Sequence, residues 1–205
     1  LYVCWSNQSK IYFNRSSDSG RTWLEKEQAI ADHVGGWEIE VPGLNRSNGM
    51  PVTVCDLSDG PNRGNIYVNW VDNRNGNYDV WLIKSEDGGE SWSEPKRINS
   101  DTTNRDQFLT WITVDQTSGY LYTVFYDRRN YADHTTDVYM ALSKDGGETW
   151  VNEKISLSPF TPVDKVFFGD YNHIDAHKGQ VRPIWTRYEQ GQLSIWTAII
   201  DKSKE

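Results

Sequence analysis

Arginines and carboxylates recur together at the ends of three strand-like runs: Trp70-Val71-Asp72-Asn73-Arg74, Phe125-Tyr126-Asp127-Arg128-Arg129 and Trp185-Thr186-Arg187-Tyr188-Glu189. A guanidinium is a planar fork that grips a carboxylate in two places. Arg74, Arg129 and Arg187 are therefore candidates for holding an anionic group, and Asp72, Asp127 and Glu189 for moving protons. The same residues have a duller reading, in which each carboxylate pairs with its neighbouring arginine or caps a loop. Repetition at one position of a repeat favours that scaffold role. A second set of chemically capable residues fills the long segments between the runs. These include Trp37, Glu38, Glu40, Arg46, Asp164, Asp170, Tyr171 and His173.

The elements that must position these residues are strands. Ile11-Tyr12-Phe13, Asp79-Val80-Trp81-Leu82-Ile83 and Asp137-Val138-Tyr139-Met140-Ala141-Leu142 are rich in alternating β-branched and aromatic residues, which reads as strand. Each run leads into a copy of one pattern, Ser-x-Asp-x-Gly-x-(Ser/Thr)-Trp. The copies carry Ser16, Asp18, Gly20 and Trp23; Ser85, Asp87, Gly89 and Trp92; and Ser143, Asp145, Gly147 and Trp150. Ser and Asp side chains close turns by bonding backbone amides, glycine tolerates positive φ, and tryptophan supplies an apolar plate that folds back over the turn. An EF-hand would require a glutamate at the twelfth loop position, where this chain has Ala29, Ile98 and Ser156. Each copy is therefore a hairpin tip.

Three such octapeptides in phase with strands resemble the Asp-box, or BNR repeat, of sialidase-superfamily β-propellers, and the resemblance spans the whole chain. It implies an all-β fold, a β-propeller of four-stranded antiparallel blades, part of a six-bladed ring. Four partial or whole blades are expected, at 1–35 (partial), 50–99, 108–157 and 172–202 (partial). Their strands are expected at 1–5, 10–15 and 28–30; at 51–55, 65–71, 78–84 and 96–98; at 109–114, 120–126, 137–143 and 153–156; and at 173–176, 181–186 and 193–200. A propeller of this family would continue upstream by roughly two blades of similar length. The turn pattern would lie on one face. The loops ending in Arg74, Arg129 and Glu189 would lie on the other, with the long connections 31–49, 99–108 and 157–171. That second face is where sialidase-like propellers bind substrate.

The resemblance also implies roles. Arg74, Arg129 and Arg187 would form an arginine triad around a sialic acid carboxylate. Tyr171 would be the nucleophile, with Glu189 or Glu38 as its partner, and Asp72 or Asp127 the acid. The family's Arg-Ile-Pro motif is absent, since Arg97-Ile98 is followed by Asn99. The expected function is therefore recognition of extracellular glycans or glycoproteins through that loop face, with Asp72, Arg74, Asp127, Arg129, Asp170, Tyr171 and Arg187 as binding candidates. An exo-sialidase and a structural propeller docking other surface proteins are the alternatives.

Composition sets further bounds. The chain has 205 residues, a formal net charge of −8, ten Trp and eleven Tyr. The negative charge and the lack of Lys/Arg runs argue against nucleic acid and anionic membranes as partners. No apolar stretch is long enough for a transmembrane helix, and an extracellular, cell-surface or periplasmic location is expected from the resemblance. Cys4 and Cys55 read as two buried, unbridged residues. No cofactor and no metal site are expected: His33, His134, His173 and His177 lack metal spacing, while Asp101-Thr102-Thr103 and the Asp-rich loops could hold Ca²⁺ through carboxylates and carbonyls without a diagnostic spacing.

Overall fold

A computed structural model describes residues 1–204. Among them every regular element is a strand, and all pairing is antiparallel. No helix is long and apolar enough to cross a membrane. Sheet I contains β1 (Tyr2–Asn7), β2 (Lys10–Arg15) and β3 (Gln28–Asp32). A two-stranded flap follows, of β4 (Glu38–Ile39) and β5 (Ser47–Asn48). Sheet II is β6 (Val52–Cys55), β7 (Ile66–Asp72), β8 (Asp79–Ser85) and β9 (Lys96–Arg97). Sheet III is β10 (Gln107–Asp115), β11 (Tyr120–Asp127), β12 (Asp137–Ser143) and β13 (Val151–Lys154). Sheet IV is β14 (His173–His177), β15 (Gln180–Glu189) and β16 (Gln192–Thr197), with β17 (Ile200–Asp201) also on β15.

The strands fall within a few residues of their expected places, with three differences. The last strand of sheet III begins at Val151, earlier than the expected 153. The expected strand at 193–200 is broken into β16 and β17. The flap adds two strands within the 31–49 segment, which is expected as connection; Glu38-Ile39-Glu40-Val41 alternates with the period of a strand.

Burial reports the order of the sheets. β11 and β12 are almost wholly buried because sheets II and IV cover both faces of sheet III. In β14 and β15 buried and exposed residues alternate, as expected of a sheet covered on one face. The other face of sheet IV exposes Ile184, Leu193, Ile195 and Ile199.

The three repeated turns carry one hydrogen-bond network. Ser16 Oγ donates to Asp18 Oδ1 (2.8 Å) and accepts from Gly20 N (2.8 Å), while Thr22 N and Oγ1 donate to the Asp18 carboxylate. Ser85, Asp87, Gly89 and Ser91 repeat it, as do Ser143, Asp145, Gly147 and Thr149. The three tryptophans differ in their surroundings. Trp92 meets Phe13 edge-on at 5.0 Å, Trp150 is half-buried and bonds Gly147 O, and Trp23 is 41% exposed.

The turns also join the sheets. Gly89 (φ +91°) lies so close to sheet I that a Cβ there would stand 2.4 Å from the Phe13 ring. Gly147 (φ +86°) lies so close to sheet II that its Cβ would stand 2.7 Å from Leu82 Cδ2. Phe13 and Leu82 each stand three residues before the serine of their own turn, so one contact recurs at both junctions. Cys4 and Cys55 are unbridged. Burial pushes the Cys4 thiol up to about 12, against a hydrogen bond with Thr53 of sheet II.

Two predictions follow from the turns. Gly88 (φ +73°) has only Arg15 Nη1 within reach, at 3.5 Å. Gly88→Ala should cost about 1 kcal/mol for the left-handed backbone, and Gly89→Ala about 3 kcal/mol or more because overpacking adds to it. Equal losses in urea unfolding followed by tryptophan fluorescence would remove the sheet-to-sheet contact from this account. The second concerns acid. Burial opposes ionisation of Asp145, but bonds from Thr149 and Ser143 outweigh it and hold the carboxyl at about 2. The folded value lies below the ordinary 3.8, so the ionised form adds stability that is complete above that value and fades as pH falls toward 2. Asp145→Asn should be less stable than the parent at neutral pH, and the gap in urea midpoint should close as pH falls through this window.

Candidate functional site

A cleft of about 730 Å³ lies between the flap and the 157–171 connection. It is lined by Trp37, Glu38, Ile39, Glu40, Asn45, Arg46, Ser47, Asn48, Met50, Asp170 and Tyr171. The volume falls in the range of small-ligand sites. Trp37 is 45% and Tyr171 63% exposed, so both aromatic side chains are solvent-accessible in the cleft lining. Tyr171 is braced by Trp111 of β10, with ring centroids 5.9 Å apart.

Several anchors hold the flap. Ile39 and Val41 insert into the main core beside Phe108. Ser47 Oγ donates to Ile39 O (2.8 Å), and Glu40 N donates to Tyr78 Oη (3.1 Å). Arg128 reaches up from the end of β11, donating from Nη1 to Pro42 O (2.6 Å) and from Nε to Thr136 Oγ1 (3.1 Å), with its guanidinium 4.9 Å over the Phe108 ring. Arg128 is 2% exposed, makes no ion pair among the described residues, and has an unpartnered Nη2. Burial pulls its pKa down to about 10, although Asp106 and Asp133 oppose this.

The opposite wall rests on an aromatic cluster. Phe168 is buried against Tyr126 (5.2 Å) and Phe160 (5.7 Å). Tyr126 Oη donates to Thr186 O (2.8 Å) and accepts from Thr186 N (2.9 Å), tying sheet III to sheet IV. The two walls meet through Arg46 and Asp170. Arg46 Nε donates to Oδ1 (3.0 Å), and Nη2 to Oδ1 (2.6 Å) and Oδ2 (2.5 Å). Asn48 Nδ2 donates to Asp170 O (2.8 Å), and Asn45 Nδ2 to Asp164 O (3.0 Å). The bonds to Asp170 hold the Arg46 pKa above its ordinary value.

Of the residues singled out in the sequence, the cleft brings together Trp37, Glu38, Glu40, Arg46, Asp170 and Tyr171. Asp72, Asp127, Arg187 and Glu189 stand at the ends of β7, β11 and β15, with Arg74 and Arg129 in the loops that follow; each arginine pairs with a carboxylate of its own sheet, and Arg74 also donates to Asp32 O of sheet I (2.9 Å). Arg74 chelates Asp72 (Nε–Oδ1 2.9 Å, Nη2–Oδ2 2.6 Å) and lies 4.6 Å over the Trp81 ring. Arg129 chelates Asp127 (Nε–Oδ2 2.8 Å, Nη2–Oδ2 2.6 Å) and lies 4.3 Å over Tyr139. Burial pushes the Asp127 carboxyl up, against the pull of Arg129. Arg187 bonds Glu189 (Nε–Oε2 3.2 Å, Nη2–Oε1 3.1 Å) and Ser158 O (2.6 Å), over Trp196 at 5.0 Å. These bonds lower the pKa of Glu189.

Register corrects one alignment. Trp70 pairs with Trp81, Phe125 with Tyr139 and Trp185 with Trp196. Two residues on, the inward positions hold Asp72, Asp127 and Arg187, all buried. Arg187 therefore occupies the aspartate position, and Glu189 the arginine position. The ion pair is kept and its polarity reversed. The four histidines have separate settings. His33 is buried between Ser6 Oγ and Val71 O, His173 and His177 lie on the exposed face of β14, and His134 is exposed before the Thr136 bridge. Asp101 accepts from Thr103 and Asn99.

No protein-family model matches the chain. Solved structures share its fold. A polysaccharide lyase of family PL25, an ulvan lyase, superposes with a TM-score of 0.58 at 14% identity, over 98% of this chain and 50% of the lyase. The Hadza microbial sialidase Hz136 gives 0.57 at 18% identity, over 94% and 40%. A K499G mutant of NanB sialidase from Streptococcus pneumoniae gives 0.53 at 12%, over 95% and 27%. The chain thus spans half or less of each of these proteins, and the likeness is one of fold.

The support under the flap can be tested apart from the fold. A guanidinium buried without a carboxylate carries a desolvation cost that offsets its hydrogen bonds. Arg128→Met should shift global stability by only about 1 kcal/mol, while amide exchange across residues 39–47 rises at least ~10-fold as local opening becomes easier. Global loss with an unchanged flap would make Arg128 a core element instead.

Proposed function

We propose that this chain is part of an exported, sialidase-like Asp-box propeller whose loop-face cleft binds glycans or glycoproteins. The observation that carries the reading is the pair of exposed aromatic plates, Trp37 and Tyr171, flanking a cleft lined with carboxylates and carboxamides. Aromatic faces pack against the apolar C–H faces of sugar rings, and convergent polar groups fix hydroxyls. The fold-level likeness to a sialidase and a polysaccharide lyase supports a carbohydrate-related role. The repeated turns are Asp-boxes on this reading, and sheets I to III consecutive blades, because one turn network recurs in all three and one glycine contact at both junctions between them; sheet IV as the next blade and a ring of six are what the family resemblance adds.

A second reading, exo-sialidase activity, draws on Tyr171 sharing the cleft with Glu38, the pairing that the family resemblance implies. The pairing of Arg74 with Asp72, Arg129 with Asp127 and Arg187 with Glu189 weighs against it, since each guanidinium already holds a carboxylate of its own sheet. A structural role in docking surface proteins is the remaining alternative, and the exposed apolar face of sheet IV is the feature that would serve it.

Calorimetric titration with an oligosaccharide panel tests the first reading. Trp37→Ala and Tyr171→Ala should each weaken binding about 10-fold or more, as aromatic anchors do when truncated, with the unfolding midpoint unchanged. Release of a fluorogenic aglycone from a sialoside, abolished by Tyr171→Phe, would favour the enzyme instead.

A further inference from the structure

The cleft's charge is one-sided. Its lining holds three carboxylates, Glu38, Glu40 and Asp170, against one guanidinium, Arg46. That guanidinium is chelated by Asp170 through two nitrogens and lies 5.0 Å over Phe167. Glu38 lies close enough to Arg46 to help raise its pKa, yet it is not its ion-pair partner. Neither Glu38 nor Glu40 makes an ion pair among the described residues. The adjoining hollow, which shares Glu40 and Arg46, adds Asp164, whose sequence neighbour Lys165 offsets it. The formal charge of −8 extends the same sign over the molecule. A concave site focuses such a field and enriches ligands of opposite sign.

We infer that the cleft discriminates against acidic sugars and takes amine-bearing glycans, a protonated sugar amine lying against Glu38 and Glu40 while a neighbouring ring stacks on Trp37 or Tyr171. The inference rests on the glycan reading above and narrows it to one ligand chemistry. An acidic sugar would need an open guanidinium. Arg46 spends its Nε and Nη2 on Asp170, so its charge is already neutralised there, and an acidic sugar reaching the remaining Nη1 would meet a paired cation with Glu38 and Glu40 close by. An ammonium gains two carboxylates without breaking a contact.

The test uses three oligosaccharides of equal length: a glucosamine oligomer, its N-acetylated form and an oligogalacturonate. Each is titrated calorimetrically into the chain at mildly acidic pH, where the sugar amines are charged, at low and at high salt. The amine form should bind at least ~10-fold tighter than the N-acetylated form at low salt, with the advantage shrinking as salt screens it. The uronate should bind weakest. In an E38Q/E40Q double variant the ratio of amine to N-acetyl affinity should fall toward one, with near-ultraviolet circular dichroism confirming an intact fold. Uronate binding as tight as amine binding, or a ratio that the double variant leaves unmoved, overturns the charge inference while leaving glycan binding in place. A broad neutral glycan panel runs alongside. Binding there without binding of the amine form likewise sinks only this inference. No binding to any sugar removes both readings.

Discussion

One close contact governs how this chain is assembled. The second glycine of a turn in one sheet lies directly against the side chain three residues before the turn serine of the preceding sheet: Gly89 on Phe13, and Gly147 on Leu82. Only a residue without a Cβ fits, and only a backbone at positive φ aims the turn correctly. The serine hydroxyl fixes that glycine by accepting its N–H, and the aspartate fixes the serine. A network spanning a few residues thereby sets the distance and tilt between whole sheets. Met140 holds the corresponding place in sheet III and is fully buried.

The opposite ends of the same strands are closed by a different device. Each of sheets II to IV carries an aromatic cross-strand pair capped by an arginine that is bonded to a carboxylate of its own loop. The reversed polarity in sheet IV is instructive. Were these arginines conserved in place to bind one shared anion, exchanging Arg and Glu positions would move the guanidinium out of register. As a cap, the pair works in either order, because what matters is a planar cation over the aromatic and a partner to neutralise it. Buried carboxylates such as Asp72 and Asp127 persist only because they are paired so closely.

The strands and the three turns were legible in the sequence because their signals are local. Alternation over six or seven residues and a Ser-x-Asp-x-Gly tip need no distant partner to be recognised. The flap was less visible, since β4 and β5 are two residues each and only Glu38-Ile39-Glu40-Val41 hinted at them. The cleft was legible as a list of residues but not as a place. Arg46 and Asp170 are 124 residues apart in the chain, and no spacing rule links them. Arg128 was overlooked because its neighbours Asp127 and Arg129 carry the repeating pattern, whereas its own bond to Pro42 is long-range. The apparent equivalence of Arg187 with Arg74 and Arg129 came from counting along a loop, and strand pairing counts differently.

The two ends of the sheets are thus held together by different means. The turn end is built from short, mutually enforcing hydrogen bonds with little freedom. The loop end joins two connections through Arg46 and Asp170, whose side chains are 62% and 33% exposed. An ion pair that open to solvent contributes on the order of 0–1 kcal/mol. Asn48 and Asn45 join the same two connections through Asp170 O and Asp164 O, so the wall is held by several modest polar contacts rather than by one strong one. Beneath these exposed contacts, Phe168 on one side and Ile39 with Val41 on the other are buried in the main core, so each wall of the cleft is anchored by apolar packing on the sheets that carry it.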